Sequence, residues 1–144
     1  MHLKHAEIEG LLPHQGAMCL LDTVTAWDPE NIYCSAAAPA ATHPLLRNGR
    51  VPTIIAIEYA AQATALHGAL LDAATQPQAG MLATLRDVSL LGVWLPVNNH
   101  PLTIHAKLMS RTDAGCSYSF KVASDSQPLA SGLLLVAFQS PVQR

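Results

Sequence analysis

The residues best suited to chemistry are a glutamate and a glutamine one helical turn apart, Glu58 and Gln62, in a long apolar segment. Apolar surroundings would remove the carboxyl group from water, which favours its protonated, proton-donating form. Residues four positions apart share one helix face, so Gln62 is predicted to hold the carboxyl group in position. The alternative is structural: a carboxylate at an exposed helix edge, or one paired with Arg47, Arg50 or Arg86.

Two histidines beside prolines are candidates for a general base. His14 follows Pro13, and His43 precedes Pro44. Imidazole changes its protonation near neutral pH, which suits it to proton abstraction. The structural alternative for each is a loop histidine bonded to the backbone. The seven histidines are otherwise scattered without metal-ligand spacing, so we predict no metal site.

Composition narrows the classes of protein to which the chain can belong. Its 144 residues fit one domain, residues 1–144, and its net charge of −2 argues against a nucleic-acid partner. Only 12% of the residues are charged, against about 25% in ordinary globular proteins. The low charge therefore predicts an oligomer, or a surface that contacts another apolar partner. The first residues lack a signal-peptide pattern, which predicts a cytoplasmic protein.

The element that must position the glutamate is the segment from Thr53 to Ala74, 22 mostly apolar residues. That length would suit a membrane span. However, a carboxylate in the middle of a bilayer costs about 3 kcal/mol, and polar residues interrupt the segment at Glu58, Gln62, His67 and Asp72. We therefore predict a helix buried within protein, capped by Thr53 and ended by residues 76–80.

The other segments alternate polar and apolar residues, or are apolar, over strand lengths. The predicted strands are residues 17–27, 32–38, 81–91, 102–111, 116–124 and 129–138. The last four would form an antiparallel meander, and the helix is the one apolar element available to cover it. This pattern predicts an α+β hotdog fold, an antiparallel sheet of about five or six strands wrapped around one long central helix. Pairing of two such units would protect the sheet edge.

Two strings carry a resemblance to the 3-hydroxyacyl-(acyl carrier protein) dehydratases. LPHQGAMCLLD, residues 12–22, resembles the LPHxxPFLLVD-like segment that opens this family. VPTIIAIEYAAQ, residues 51–62, is similar to its MPGVLIIEAMAQ-type helix entry. Both stand in family order, and the likeness is to a divergent branch that includes the dehydratases of aryl-polyene biosynthesis clusters. The resemblance implies a hotdog dimer with active sites at the subunit interface.

The resemblance also implies a role for each candidate residue. Glu58 matches the family's helix carboxylate, the general acid for the departing hydroxyl group. His14 matches the opening motif and is the preferred base. His43 is second, because the Gly and Phe of the family's Gly-His-Phe-Pro motif are missing around it. Thr53 replaces the family's glycine, so an amide of Thr53 or Ile54, at the positive end of the helix, is predicted to hold the thioester carbonyl.

The resulting prediction is a hydro-lyase that converts a 3-hydroxyacyl thioester to the trans-2-enoyl thioester without a cofactor, in fatty acid or polyene-type biosynthesis. Acyl carrier protein is the preferred carrier and coenzyme A the second, and Gln62 joins Thr53 and Ile54 as substrate-binding residues. The predicted partner is a second copy or a related dehydratase, with no nucleic acid and no membrane. Two alternatives stay open: a hotdog thioesterase that does not need His14, and a weak or silent subunit that pairs with an active dehydratase.

Overall fold

A computed structural model describes residues 2–12, 18–39, 43–72, 80–96 and 99–138, with side chains in these ranges except those of residues 80–83. Its elements are, in chain order, β1 (Leu3–Lys4), α1 (His5–Leu11), β2 (Thr23–Trp27), β3 (Asn31–Ala36), a 3-10 turn (Thr53–Ile55), α2 (Ala56–Leu71), β4 (Gly80–Leu90), β5 (Leu102–Arg111), β6 (Gly115–Ser124) and β7 (Gln127–Phe138).

The strands form one antiparallel sheet in the order β1-β2-β3-β5-β6-β7-β4, and α2 packs against β3, β5, β6 and β7. This arrangement confirms the predicted α+β hotdog fold. Seven strands are described instead of the predicted five or six, because the two-residue β1 extends one edge of the sheet.

The predicted four-stranded meander is wrong in one connection. β5, β6 and β7 follow one another in the sheet, but β4 pairs with β7 and not with β5. The strand that follows the helix therefore lies at the far edge of the sheet from β1. The sequence alone cannot show which strand β4 pairs with, because β4 would have the same alternation of side chains beside β7 as beside β5.

The N-terminal part of the chain also differs from the prediction. Residues near the start of the chain, for which no helix or strand was predicted, fold as β1 and α1, and Ile8 is completely buried. The strand predicted for residues 17–27 begins only at Thr23. The apolar residues just before it, Cys19, Leu20 and Leu21, are buried against the core without joining the sheet. Their burial explains the apolar pattern that suggested a longer strand.

Helix α2 is the centre of the core. Its side chains Tyr59, Ala60, Ala63 and Leu66 are buried, and His67 is buried with them. The segment Thr53–Leu71 is the one described helix that is long and apolar enough to cross a membrane, and 44% of its apolar window is buried inside the fold. Its packing against four strands supports the interpretation as a core helix.

The predicted cap of this helix is wrong. Thr53 begins the 3-10 turn, and the N-cap position of α2 belongs to Ile55, which forms no side-chain cap. The Thr53 backbone N–H donates instead to the Val93 carbonyl at 2.8 Å. The Thr53 hydroxyl is buried and makes no hydrogen bond within the described part of the chain. Tertiary pairing thus takes precedence over local capping at this helix start.

Strands β5 and β6 show the predicted alternation of faces. Leu102, Ile104 and Ala106 are buried, while Thr103 and Lys107 are exposed. On β6 the buried side chains are Tyr118, Phe120 and Val122. Each such large side chain contributes roughly 1.5–3 kcal/mol when fully removed from water. This apolar face holds α2, and with it Glu58, in one orientation.

Candidate active site

Gln62 connects Glu58 to the segment that follows residue 17. The Gln62 side chain is completely buried, and its Nε2 donates to Glu58 Oε1 at 3.1 Å. The same nitrogen donates to the Met18 carbonyl at 2.8 Å, and its Oε1 accepts from the Leu20 amide at 2.9 Å. The structure therefore brings together Glu58 and Gln62, as the spacing predicts, and adds two backbone partners that the sequence did not indicate.

These contacts fix the direction of the Glu58 carboxyl group. The Leu20 amide can only donate, so it must face the oxygen of Gln62, and the nitrogen must then face Met18 and Glu58. Glu58 Oε1 is thereby held as an acceptor.

The Glu58 side chain is less buried than the sequence predicts. The side chain is half-buried in the single chain and not surrounded on all sides by apolar residues. Within the described residues it forms no ion pair with Arg47, Arg50 or Arg86, the arginines named in the structural alternative. The carboxyl group lies in the first turn of α2.

His43 has both ring nitrogens engaged. The Leu45 amide donates to Nδ1 at 3.1 Å, so the proton of the neutral ring is on Nε2, which lies 2.9 Å from the Tyr59 hydroxyl oxygen. Burial lowers the pKa of His43, so the ring is neutral near pH 7. No lone pair is left to accept a proton from a substrate in this arrangement.

The two predicted carbonyl-binding amides have different surroundings. The Thr53 amide is occupied by Val93, as described above. The Ile54 amide makes no hydrogen bond within the described residues, and its side chain is 57% exposed. Of the two, Ile54 is the amide that can still receive an oxyanion. His14, the preferred base, lies outside the described residues; Met18, which Gln62 binds, is four residues further along the sequence.

Tyr59 is a residue that the sequence reasoning missed. Its side chain is buried, and burial raises the pKa of its hydroxyl group to about 12, so the group stays protonated beside His43. In the sequence, Tyr59 fits the apolar pattern of the helix, and no feature of the pattern indicates a role for its hydroxyl group. Among the described residues, no group of three His, Cys, Asp or Glu side chains could hold a metal ion.

Comparison with protein families identifies the group to which the chain is related. The model for ApeP-like proteins, described as ApeP dehydratase, matches residues 6–143. The chain belongs to this family. Its enzyme class, a dehydratase-like hydro-lyase, and the predicted resemblance to aryl-polyene dehydratases are thereby confirmed. A search of curated protein sequences finds no significant match to this ApeP-like chain.

Solved structures support the fold of this ApeP-like chain. The dehydratase heterocomplex ApeI:P from Xenorhabdus doucetiae is similar with a TM-score of 0.82 and 21% identity, over 92% of this chain and 91% of that one. The thioesterase HI1161 from Haemophilus influenzae has a TM-score of 0.72 and 10% identity, over 99% and 94%. A hypothetical thioesterase with coenzyme A from Streptococcus pneumoniae has a TM-score of 0.63 and 9% identity, over 83% and 87%. At these identities the likeness establishes the hotdog fold.

Proposed function

We propose that this chain dehydrates a 3-hydroxyacyl thioester to the trans-2-enoyl thioester. The observation that carries the proposal is the hydrogen bond from Gln62 Nε2 to Glu58 Oε1, which holds the carboxyl group in a fixed orientation in the first turn of α2. Family membership supplies the reaction class. The thioester makes the C2 proton acidic enough for a histidine to remove, so the proposed reaction requires no cofactor.

The proposed steps use three groups. His14 removes the C2 proton while the Ile54 amide stabilises the charge that develops on the thioester oxygen. Glu58 donates its proton to the C3 hydroxyl group, the C3–O bond breaks, and water leaves as the C2–C3 double bond forms. The histidine has then gained one proton and Glu58 has lost one, and exchange with solvent restores both.

We prefer His14 to His43 as the base for a geometric reason. Both nitrogens of His43 are engaged, one by the Leu45 amide and one by the Tyr59 hydroxyl group. Gln62 ties the segment that begins at Met18, shortly after His14 in the sequence, to the side chain of Glu58. The chain that follows His14 is thereby held beside Glu58, and this supports His14 as the base.

The proposed partner is a related dehydratase, in a cytoplasmic heterodimer. Similarity to one component of a dehydratase heterocomplex supports a second, related chain. Acyl carrier protein is the proposed carrier of the substrate, and coenzyme A the alternative. The occupied Thr53 amide and the engaged His43 favour one competing hypothesis, a silent subunit that supports an active partner.

The test supplies a 3-hydroxyacyl thioester to the chain alone and mixed with a related dehydratase, and measures enoyl product and free thiol separately. We expect enoyl product, and a loss of about 10²–10⁴-fold in kcat/KM for Glu58→Gln and for His14→Ala, the usual contribution of a general acid or base. His43→Gln is expected to change kcat/KM by less than about fivefold, because His43 is not the proposed base. Glu30→Gln, at an exposed turn, is the matched control and should leave the rate unchanged.

Three results would contradict the proposal. Release of free thiol without enoyl product would identify a thioesterase. Absence of turnover by the chain alone, with an unchanged rate when Glu58→Gln is paired with an active partner, would identify a silent subunit. A large loss with His43→Gln and none with His14→Ala would reassign the base.

A further inference from the structure

Two arginines stand on a tight hairpin directly before the candidate site. The Arg47 amide donates to the Arg50 carbonyl at 2.6 Å, and the Arg50 amide donates back to the Arg47 carbonyl at 2.9 Å. Asn48 and Gly49 between them have φ values of 51° and 76°. Two successive positive φ values define a type I′ turn, for which Asn-Gly is the preferred pair. The backbone therefore presents both arginines in a fixed relation.

Both guanidinium groups are available to an anion. The two side chains are exposed, and neither forms an ion pair with a carboxylate of the described residues. Arg47 Nη1 donates to the neighbouring Leu46 carbonyl at 3.1 Å, and the Arg50 guanidinium lies 5.8 Å from the centre of the Trp94 ring. Guanidinium groups match the geometry of phosphate oxygens and bind them by charge-assisted hydrogen bonds.

A short backbone ladder joins this hairpin to the start of α2. The Leu95 amide donates to the Val51 carbonyl, and the Thr53 amide donates to the Val93 carbonyl, both at 2.8 Å. The ladder ends beside two exposed apolar side chains, Val93 at 72% and Ile54 at 57% exposure. Following the chain from the hairpin, positive charge gives way to apolar surface and then to the Ile54 amide and Glu58.

We propose that Arg47 and Arg50 bind the phosphate group at the end of a pantetheine arm. The order of the site matches the chemistry of that arm, in which a phosphate is followed by a dimethyl-substituted carbon, two amides and the thioester. The inference rests on the proposed function, since that function places the thioester at Glu58. The same phosphate is present in the prosthetic group of acyl carrier protein and in coenzyme A, so the hairpin recognises what the two carriers share.

Trp94 provides a signal for the test, because Arg50 lies over its ring. The protein, in complex with its partner where one forms, is titrated with pantetheine, 4′-phosphopantetheine and coenzyme A while tryptophan fluorescence is followed. We expect the two phosphorylated compounds to bind about fivefold tighter than pantetheine, as for an exposed ionic contact, and the advantage to shrink at high salt. Trp94→Phe should remove the signal and leave the same affinities by calorimetry.

Variants locate the contact. Arg47→Gln combined with Arg50→Gln should abolish the advantage of the phosphorylated compounds, and Arg86→Gln, an exposed arginine on β4, should leave it intact. In turnover assays the double variant should raise KM equally for the coenzyme A and carrier-protein thioesters, with kcat unchanged. A rise confined to the carrier-protein thioester would show contact with the protein surface and would overturn the phosphate assignment.

Binding and turnover separate the two proposals. Equal affinity for pantetheine and 4′-phosphopantetheine in the wild type, or an unchanged advantage in the double variant, overturns the hairpin assignment even if dehydration is observed. A phosphate advantage that depends on the arginines, in a protein that forms no enoyl product, supports the hairpin and refutes the proposed dehydration.

Discussion

At the scale of single residues, Gln62 is the side chain on which the candidate site depends. Its side-chain amide accepts a hydrogen bond from the Leu20 amide and donates to the Met18 carbonyl and to the Glu58 carboxyl group. Because Gln62 is buried, the loss of any of these hydrogen bonds would destabilise the fold, since an unsatisfied buried polar group costs about 1–3 kcal/mol. The carboxyl group is therefore oriented by the same contact that holds the preceding segment against the helix.

Thr53 offers a test of a buried hydroxyl group without a partner. Its side chain is 1% exposed, and Oγ1 makes no hydrogen bond among the described residues. We expect Thr53→Val to leave the free energy of unfolding unchanged or to raise it, because a methyl group replaces an unsatisfied hydroxyl group. Thr64→Val is the matched control in the same helix region: Thr64 Oγ1 donates to the Ala60 carbonyl at 2.9 Å.

The control should lose about 0.5–1.5 kcal/mol, the net contribution of one hydrogen bond. Urea denaturation followed by circular dichroism measures both variants. A loss at Thr53→Val as large as at Thr64→Val would show that the Thr53 hydroxyl group has a stabilising partner in solution.

The sequence predicted the part of the site that depends on local spacing. Glu58 and Gln62 meet because helical geometry places positions four apart on one face. The partner of His43 could not be predicted, since Tyr59 lies 16 residues away and meets it only through the fold. The turn between the two arginines is indicated locally by Asn48-Gly49, the preferred pair for a type I′ turn. The strands on either side are too short to show an alternating pattern, because the hairpin has a single isolated bridge.

At the scale of elements, α2 is attached to the sheet by a buried polar bridge in its second half. His67 Nε2 donates to the Asp28 carbonyl at 2.8 Å, so Nδ1 accepts from the Tyr118 hydroxyl group at 2.6 Å. The bridge joins the helix to the turn after β2 and to β6. It fixes the rotation of α2 about its axis, and hence the direction in which Glu58 points.

This bridge predicts how stability depends on pH. Burial lowers the pKa of His67 below the value of about 6.5 in an unfolded chain. The unfolded state then binds more protons than the folded state, so the free energy of unfolding is highest above about pH 6.5 and falls as the pH decreases through that value. Burial lowers the pKa of His43 and His105 as well, which adds to the effect in the same direction.

His67→Gln retains one donor and one acceptor but cannot titrate. We expect it to reduce the difference in unfolding free energy between pH 7.5 and pH 5.5, measured by urea denaturation. His2→Gln, at an exposed terminal position, is the control and should keep the wild-type difference. An unchanged pH dependence in His67→Gln would show that other groups produce it.

The bounds of an element are predictable where local sequence determines them and not where tertiary contacts do. Residues 102–111 alternate so regularly that the predicted and observed β5 have identical bounds. α1 escaped prediction because its sequence is charged and short, and it is stabilised by tertiary contacts such as His5 Nδ1 to the Leu21 carbonyl at 2.9 Å. The position of β4 in the sheet depends on a chain crossing that no local pattern encodes.

At the scale of the whole molecule, the described sheet has an uncovered apolar edge. β4 has one strand neighbour, β7, and carries exposed apolar side chains at Leu85, Val88 and Leu90. Exposed edge strands of this kind pair with other chains unless they are covered. The low charge content of the sequence has the same consequence, because this surface is poorly solvated.

Leu85→Lys tests whether β4 meets the second subunit. Leu85 is 38% exposed, and a lysine there would place a charge in the proposed interface. We expect the complex to dissociate in sedimentation experiments, while circular dichroism remains that of the wild type. Met109→Lys, on β5 with 56% exposure, is the matched control. Loss of association in both variants, or in neither, would place the interface elsewhere.

The pairing of β4 with β7 also has a consequence for biosynthesis of the chain. Ribosomes deliver the N-terminal part first, so α2 and β4 emerge before the strand on which β4 depends. Until Gln127–Phe138 has been made, β4 has no place in the sheet and its apolar side chains remain open to other molecules. A nascent chain halted before that point would present an uncovered hydrophobic strand, which is the form of the protein most in need of a chaperone.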